Sequence, residues 1–307
     1  MKKFLLKVAL FFALVVALDF VFGQFFSLLR ANAKGGSTSN CEYIANRCQD
    51  DIIILGSSRA THHYVPQIIE DSLGMSCYNC GEEGNGIVLA YGRFKMLTNR
   101  YKPKLIIYEM TPRFDYGVGD PNTKYLGYLR PYYNKAGIKG IFEDFDDELS
   151  SLKMKSQMYQ NTAKLLPNMV DNIVFRDNKK GYSPLYGIID QEKINKNNNK
   201  KIASNVANID EIKLSYVEKL ITEAQSQQIP IIFMISPALG TDANLISYEP
   251  EIALCKKYDI PFFDFSSCKT IIDRTDNFQD LSHLNIEGAE TYTKEIVKNV
   301  LANYIHK

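Results

Sequence analysis

The chain has 307 residues, a length that suits one large domain with an insertion, or two small ones. Its 36 Lys and Arg nearly balance 35 Asp and Glu, and a net charge of +1 argues against a nucleic-acid partner, which needs a basic surface.

The N-terminus has its own character. Lys2, Lys3 and Lys7 precede an apolar run from Val8 to Leu18, which resumes after Asp19 and continues to Leu29. At about 1.5 Å per residue, Leu5 to Leu29 is long enough to cross a hydrocarbon core of about 30 Å. The lysines put the N-terminus in the cytoplasm and everything after the span outside. Residues 1–29 therefore read as a single-pass anchor in a bacterial cytoplasmic membrane, with the rest periplasmic or extracellular. A signal peptide cleaved after Ala31-Asn32-Ala33 is the competing reading, although the apolar stretch exceeds the usual signal core of about 7–15 residues. Asp19 sits awkwardly in either. An ionisable group inside a span is costly and implies a protein partner or a place near an interface.

Residues 30–49, with Ser37 to Asn40, read as a polar tether. Export makes disulfides plausible among Cys41, Cys48, Cys77, Cys80, Cys255 and Cys268. Cys41–Cys48 and Cys255–Cys268 are the pairs to try first. Cys77-x-x-Cys80 falls on a strand, where positions three apart face opposite sides, so it is no redox motif. No histidine stands at ligand spacing beside these cysteines, so no metal is expected, and nothing in the sequence asks for a cofactor.

From residue 50 onward an α/β rhythm begins. Ile52 to Leu55 is an unbroken apolar run, the mark of a parallel strand covered on both faces. It runs into Gly56-Ser57-Ser58-Arg59. A helix follows Pro66 to about Leu73, then a strand from about Met75 to Asn79, a helix from about Ile87 to Arg100, and a strand Leu105 to Glu109. The pattern then breaks, from about 113 to 206, in an insertion rich in tyrosine (Tyr116, Tyr125, Tyr128, Tyr132, Tyr133, Tyr159, Tyr182, Tyr186). Aromatic faces with polar tips suit sugar rings, and tyrosine is equally an amphipathic core residue. The run from Lys193 to Lys201 reads as a solvated loop. A helix from about Ile209 to Gln227, strands Pro230–Ser236 and Pro261–Phe265, and a last helix from Ile286 to Tyr304, capped by Asn285, restore the rhythm. Five strands alternating with helices predict an α/β three-layer sandwich around a mostly parallel five-stranded sheet, spanning 50–307. Ligands of such sheets bind beyond the carboxyl ends of the strands, where Ser58, Gly84, Glu109 to Arg113 and Ser236 all fall.

Two motifs carry chemistry. Ser58 stands on a small-residue turn straight after a strand, where a nucleophile is exposed. Its bland reading is a loop or an anion nest at a helix N-terminus. Asp280-Leu-Ser-His283 places a carboxylate three residues before an imidazole, close enough to hold its tautomer. The bland reading of Asp280 is an acid favoured by the helix macrodipole. His283 has few rivals, since His306 lies in the tail, and His62 and His63 follow the serine too closely to face it. That pair reads as water-exposed residues opening a helix, or as pocket lining in the case of His62. Arg59 is either a helper beside the serine or a structural ion-pair residue. Glu82 and Glu83 read as solvated loop acids. A phosphate-binding reading of the turn lacks both Gly-x-Gly-x-x-Gly and a Lys-[Ser/Thr] loop.

In this order the motifs resemble the SGNH (GDSL-like) hydrolase superfamily, with its flavodoxin-like fold. The resemblance covers roughly 50–112 and 207–305. It implies a Ser58–His283–Asp280 triad and an oxyanion hole made by the amides of Ser58 and of Gly84, within Tyr78-Asn-Cys-Gly-Glu-Glu-Gly84. The third block departs. Glu109-Met-Thr-Pro-Arg113-Phe-Asp115 lacks the asparagine that completes the hole, which leaves Thr111, Arg113 or Arg59 to contact substrate. That pattern is similar to the divergent membrane-anchored branch that includes the Dlt D-alanyl transfer protein and polysaccharide O-acetylation partners. The resemblance implies a serine esterase or O-acyltransferase acting on acyl, in the first place acetyl, esters of a glycan or other acylated small molecule, beside a membrane-embedded acyltransferase. The alternative is a non-catalytic glycan-binding or assembly subunit on the same fold.

Overall fold

The computed structural model describes residues 1–119, 123–145, 150–173, 179–198, 208–239 and 247–305. His306 and the end of the lysine–asparagine run, 199–201, lie outside them. The chain divides into two compact units, Met1–Arg47 with Pro121–Asp177, and Cys48–Asp120 with Asn178–Lys307.

The first unit is helical. Its N-terminal helix Lys2–Ala31 is the one described helix long and apolar enough to cross a membrane, with a mean hydropathy of 2.5 in its most apolar window. The segment expected to be a tether is instead a helix, Gly36–Asn46. Its Glu42 is buried and accepts hydrogen bonds from Arg30 and from Tyr132, at 2.6 Å for the tyrosine. Asp19 finds its partner inside the chain. Its carboxylate accepts from the Ser156 hydroxyl and from the amides of Gln157 at 2.8 Å and Met158 at 3.2 Å. Those are the free first-turn amides of the helix Gln157–Asn161, which an acidic cap stabilises. One turn on, Gly23 packs so closely that an added Cβ would lie 2.5 Å from Gln157 Cβ.

The second unit holds five parallel strands in the order β2-β1-β3-β4-β5, with β1 Ile52–Gly56, β2 Cys77–Asn79, β3 Leu105–Glu109, β4 Ile231–Ile235 and β5 Phe262–Asp264. It is an α/β fold with helices flanking the sheet. All five residues of β1, of β3 and of β4 are buried, as expected of strands covered on both faces. Ser57 starts the helix Ser58–His63, and the helices Pro66–Leu73, Ile87–Thr98, Glu211–Ser226 and Ile286–Ile296 follow close to their expected places. Asn285 caps the last of these, its side chain accepting from the Gly288 amide at 3.0 Å. Chain order leaves β1 flanked by β2 on one side and β3 on the other. The crevice of a doubly wound sheet opens at such a switch point.

Three expectations need correction. No disulfide forms, so neither Cys41–Cys48 nor Cys255–Cys268 is joined. The Cys48 thiol lies 3.2 Å from the Asp50 carboxylate, and Cys268 lies 3.1 Å from the Thr270 hydroxyl. Residues Gln191–Asn198 are helical rather than a loop. Glu82 is no solvated acid, because it pairs at 2.6 Å with the buried Arg93, whose guanidinium also holds the carbonyls of Cys80 and Gly81. Of the tyrosines, for which sugar contact and core were equally open, Tyr116, Tyr125, Tyr132, Tyr133 and Tyr182 are buried, while Tyr186 is exposed.

Candidate active site

The carboxyl edge of β1 is built for a tight turn. Gly56 has φ +144, and a Cβ there would lie 2.8 Å from the Glu109 carbonyl oxygen, so only glycine lets β1 and β3 run this close before the chain bends. Ser58 then opens its short helix. Thr61 is the first residue whose amide bonds back within the turn, to the Ser57 carbonyl at 3.1 Å, which leaves the amides from Ser58 onward free of helical partners.

Ser58, His283 and Asp280 converge, although 225 residues separate the serine from the histidine. His283 Nε2 lies 2.8 Å from Ser58 Oγ. Its Nδ1 lies 2.9 and 3.0 Å from the two Asp280 oxygens. A carboxylate facing Nδ1 fixes the proton there and leaves the Nε2 lone pair aimed at the hydroxyl. Asp280 Oδ1 also accepts from the amides of Ser282 at 2.7 Å and His283 at 2.9 Å. Partial burial pushes the Asp280 carboxyl up, but the bonds from His283 and these amides outweigh it and hold it below the usual carboxylate value. The turn is closed by an antiparallel bridge between Phe278 and Leu284.

Neither His62 nor His63 is water-exposed. Both are buried. The loop after Lys179–Gly181 lies against His62, with the Ser183 amide donating to the Thr61 carbonyl at 3.1 Å, while His63 packs against Ser236, Leu284 and Tyr292. His62 Nδ1 donates to the Ser183 carbonyl at 2.7 Å, and its ring packs edge-on to His283 at 5.5 Å between centroids. Burial and the neighbouring His283 lower its pKa. His63 matters more than its sequence position suggested. Its Nε2 accepts from the Leu284 amide at 3.0 Å, so Nδ1 carries the proton and donates to Ser236 Oγ at 2.7 Å. Ser236 Oγ passes its own hydrogen to Glu109 Oε1 at 2.6 Å. Complete burial, then the charges of His283 and Arg59, push the His63 pKa well below the ordinary value. It stays neutral.

Arg59 takes the structural role. It is buried, with Nε 3.3 Å from Glu109, Nη2 2.7 Å from the Tyr248 hydroxyl, and further bonds to the Met110 and Ser236 carbonyls. Those partners engage four of its five N–H donors. Glu109 also accepts from the Tyr64 hydroxyl and from the Ser236 amide at 3.1 Å. Arg113 is exposed and stacks over Phe114 at 5.6 Å. Thr111 Oγ1 is different: it is buried without a hydrogen-bond partner, while its amide donates to Asp115 at 2.6 Å. Gly84 has φ +65 in a turn where the Asn85 amide bonds the Glu82 carbonyl at 3.1 Å. That loop is tied to the end of β1 by the Glu82 amide donating to the Gly56 carbonyl at 3.2 Å. Gly84 thus follows the strand beside β1, and no hydrogen bond between described residues joins it to Ser58. Among the described residues no cluster of His, Cys, Asp and Glu is arranged to hold a metal ion.

No protein-family model matches the sequence, and a search of curated proteins returned no match. Among solved structures, one from Desulfitobacterium hafniense DCB-2, described as a "putative lipolytic protein of G-D-S-L family", is similar at 11% identity. Its TM-score is 0.41, over 81% of this chain and 98% of that one. A likeness this distant adds no weight to the reading of the site, which rests on the hydrogen bonds above.

Proposed function

We propose that the chain is a serine esterase or O-acyltransferase, anchored by its N-terminal helix on the outer side of a bacterial cytoplasmic membrane. The observation that carries this reading is the unbroken path Asp280–His283–Ser58, at 2.9 and 2.8 Å. Ser58 Oγ attacks the ester carbonyl while His283 Nε2 takes the hydroxyl proton, and Asp280 stabilises the imidazolium. Collapse of the tetrahedral intermediate sends that proton to the departing alcohol and leaves an acyl group on Ser58. Water (esterase) or a sugar hydroxyl (transferase) then attacks, with His283 again the base.

The oxyanion is held by the Ser58 amide at its helix start and by the amide of Gly84. The unpaired Thr111 hydroxyl is the candidate for the place of the missing asparagine. Acetyl esters of a glycan are the proposed substrates, with a membrane-embedded acyltransferase as partner, on the strength of the resemblance in sequence. The test is labelling of the full chain by a fluorophosphonate probe, together with hydrolysis of a chromogenic acetyl ester. Labelling that vanishes in Ser58→Ala, alongside lost hydrolysis, supports the enzyme. An unlabelled wild-type chain without hydrolysis favours the non-catalytic glycan-binding or assembly subunit.

A further inference from the structure

The first unit carries a second apolar surface that the anchor alone does not explain. The helix Leu165–Ile173 has Leu166, Met169, Val170 and Ile173 exposed at 75%, 47%, 42% and 80%. Positions i, i+3, i+4 and i+7 share one helix face. Asp171, by contrast, is buried, accepting from the Thr38 amide at 3.2 Å through its side chain and from the Lys34 amide at 2.9 Å through its carbonyl. Asn172 Nδ2 donates to the Leu29 carbonyl at 2.8 Å. Polar residues therefore fasten this helix to the outer end of the N-terminal helix and leave the apolar stripe open.

We infer that this stripe is a second membrane contact, lying in the boundary between headgroups and acyl chains of the leaflet the anchor emerges from. The inference rests on the anchor reading. A span of roughly 20 residues counted from Phe4 ends near Gly23, where the helix Gln157–Asn161 packs against the anchor. Leu29, where the helix Leu165–Ile173 is tied, lies about 9 Å further along at 1.5 Å per residue. An amphipathic helix parallel to a bilayer sits at about that level, its apolar face buried some 5–10 Å into the boundary. The surface is also continuous in kind. Phe25 and Leu28 are exposed on the anchor between Gly23 and Leu29, on the stretch that leads to this helix. Lipid that covers these residues covers the stripe, and fixing one short helix to the anchor sets how the unit stands on the membrane.

The chain has no tryptophan, so one introduced tryptophan reports alone. The full chain carrying Ile173→Trp is placed in phosphatidylcholine–phosphatidylglycerol vesicles whose acyl chains are brominated near the headgroup. Phe25→Trp reports on the anchor, and Phe142→Trp on a site buried in protein. The expected result is blue-shifted, quenched emission from positions 173 and 25, and blue-shifted, unquenched emission from position 142. If position 25 is quenched and position 173 is not, the anchor stands and the inference falls. Red emission at 173 then means an open face, and blue emission a face covered by protein, such as a second copy. If position 25 is also unquenched, the anchor reading fails and this inference with it.

Discussion

The amide of Leu284 donates to Nε2 of His63 at 3.0 Å, across 221 residues of sequence. Leu284 follows His283 directly, and His63 ends the helix that Ser58 begins. One neutral ring therefore ties the turn bearing the base to the helix bearing the nucleophile. The ring is held in turn by Ser236 and Glu109 at the ends of β4 and β3.

His63 is accordingly a positioning residue. His63→Ala leaves the Leu284 amide without its partner, and an unmet buried donor costs about 1–3 kcal/mol. If that cost falls on the geometry of the base, kcat drops by about ten- to a hundredfold. KM should change little, because the ring is fully buried. His63→Gln, which keeps an acceptor, should recover part of the rate. Steady-state kinetics on all three forms check this, and equal kcat in all three would remove the role.

The three central residues should behave as a unit. Ser58→Ala and His283→Ala are each expected to abolish ester turnover with the fold intact by circular dichroism. The double variant should lose little more than either single one, as members of one relay are not additive. Asp280→Asn should lose less than these or a comparable amount, since the carboxylate sets tautomer and orientation rather than taking the proton. Initial rates on one acetyl ester decide the matter. Full activity in Ser58→Ala would end the mechanism.

Acid should act on stability through the buried histidines. His63 binds its proton less readily folded than unfolded, with 6.5 as its ordinary pKa. Below pH 6.5 the unfolded chain therefore holds more protons, and unfolding free energy falls as pH falls, by up to about 1.4 kcal/mol per unit. Asp115 works in the opposite sense. Burial pushes its carboxyl up to about 6, so stability falls as pH rises toward that value. A difference between variants separates the two. Between pH 7 and pH 5, His63→Gln should lose less unfolding free energy in denaturant titrations than the parent chain. An equal loss in both would mean His63 does not charge in that window.

The five strands and the Asp280–His283 pair were legible because each rests on local signals, while the meeting of Ser58 with His283, 225 residues apart, was expected from the resemblance. Apolar runs mark covered strands, a glycine turn follows β1, and Asp280 is close to His283 along the chain. His63, Glu109 and Ser236 were hard to see because their partners are set by the parallel register, where Glu109 pairs with Met234 and Gly56. No spacing rule announces a contact between ends of neighbouring strands. Asp19 read as an anomaly for the same reason: its partners, the first-turn amides of Gln157–Asn161, lie 138 and 139 residues away.

The Arg59–Glu109 pair offers a test on stability. Both side chains are almost fully buried, at 7% and 0% exposed. Burial raises the Glu109 pKa, while Arg59, Ser236 and Tyr64 oppose that rise. Removing one partner strands the other as an uncompensated charge, which costs about 3–5 kcal/mol, whereas an apolar replacement of both can be close to neutral. Arg59→Met alone should thus lower unfolding free energy by about that amount. Arg59→Met with Glu109→Leu should recover part of it, but not all, because Ser236 and Tyr64 would lose their acceptor. Turnover should fall further in the double variant, since Glu109 anchors the Ser236–His63 path, so stability is the readout for the pair. Denaturant titration with a double-mutant cycle measures the coupling. A single Arg59→Met variant as stable as the parent would mean that the buried pair is not what holds the ends of β1, β3 and β4 together.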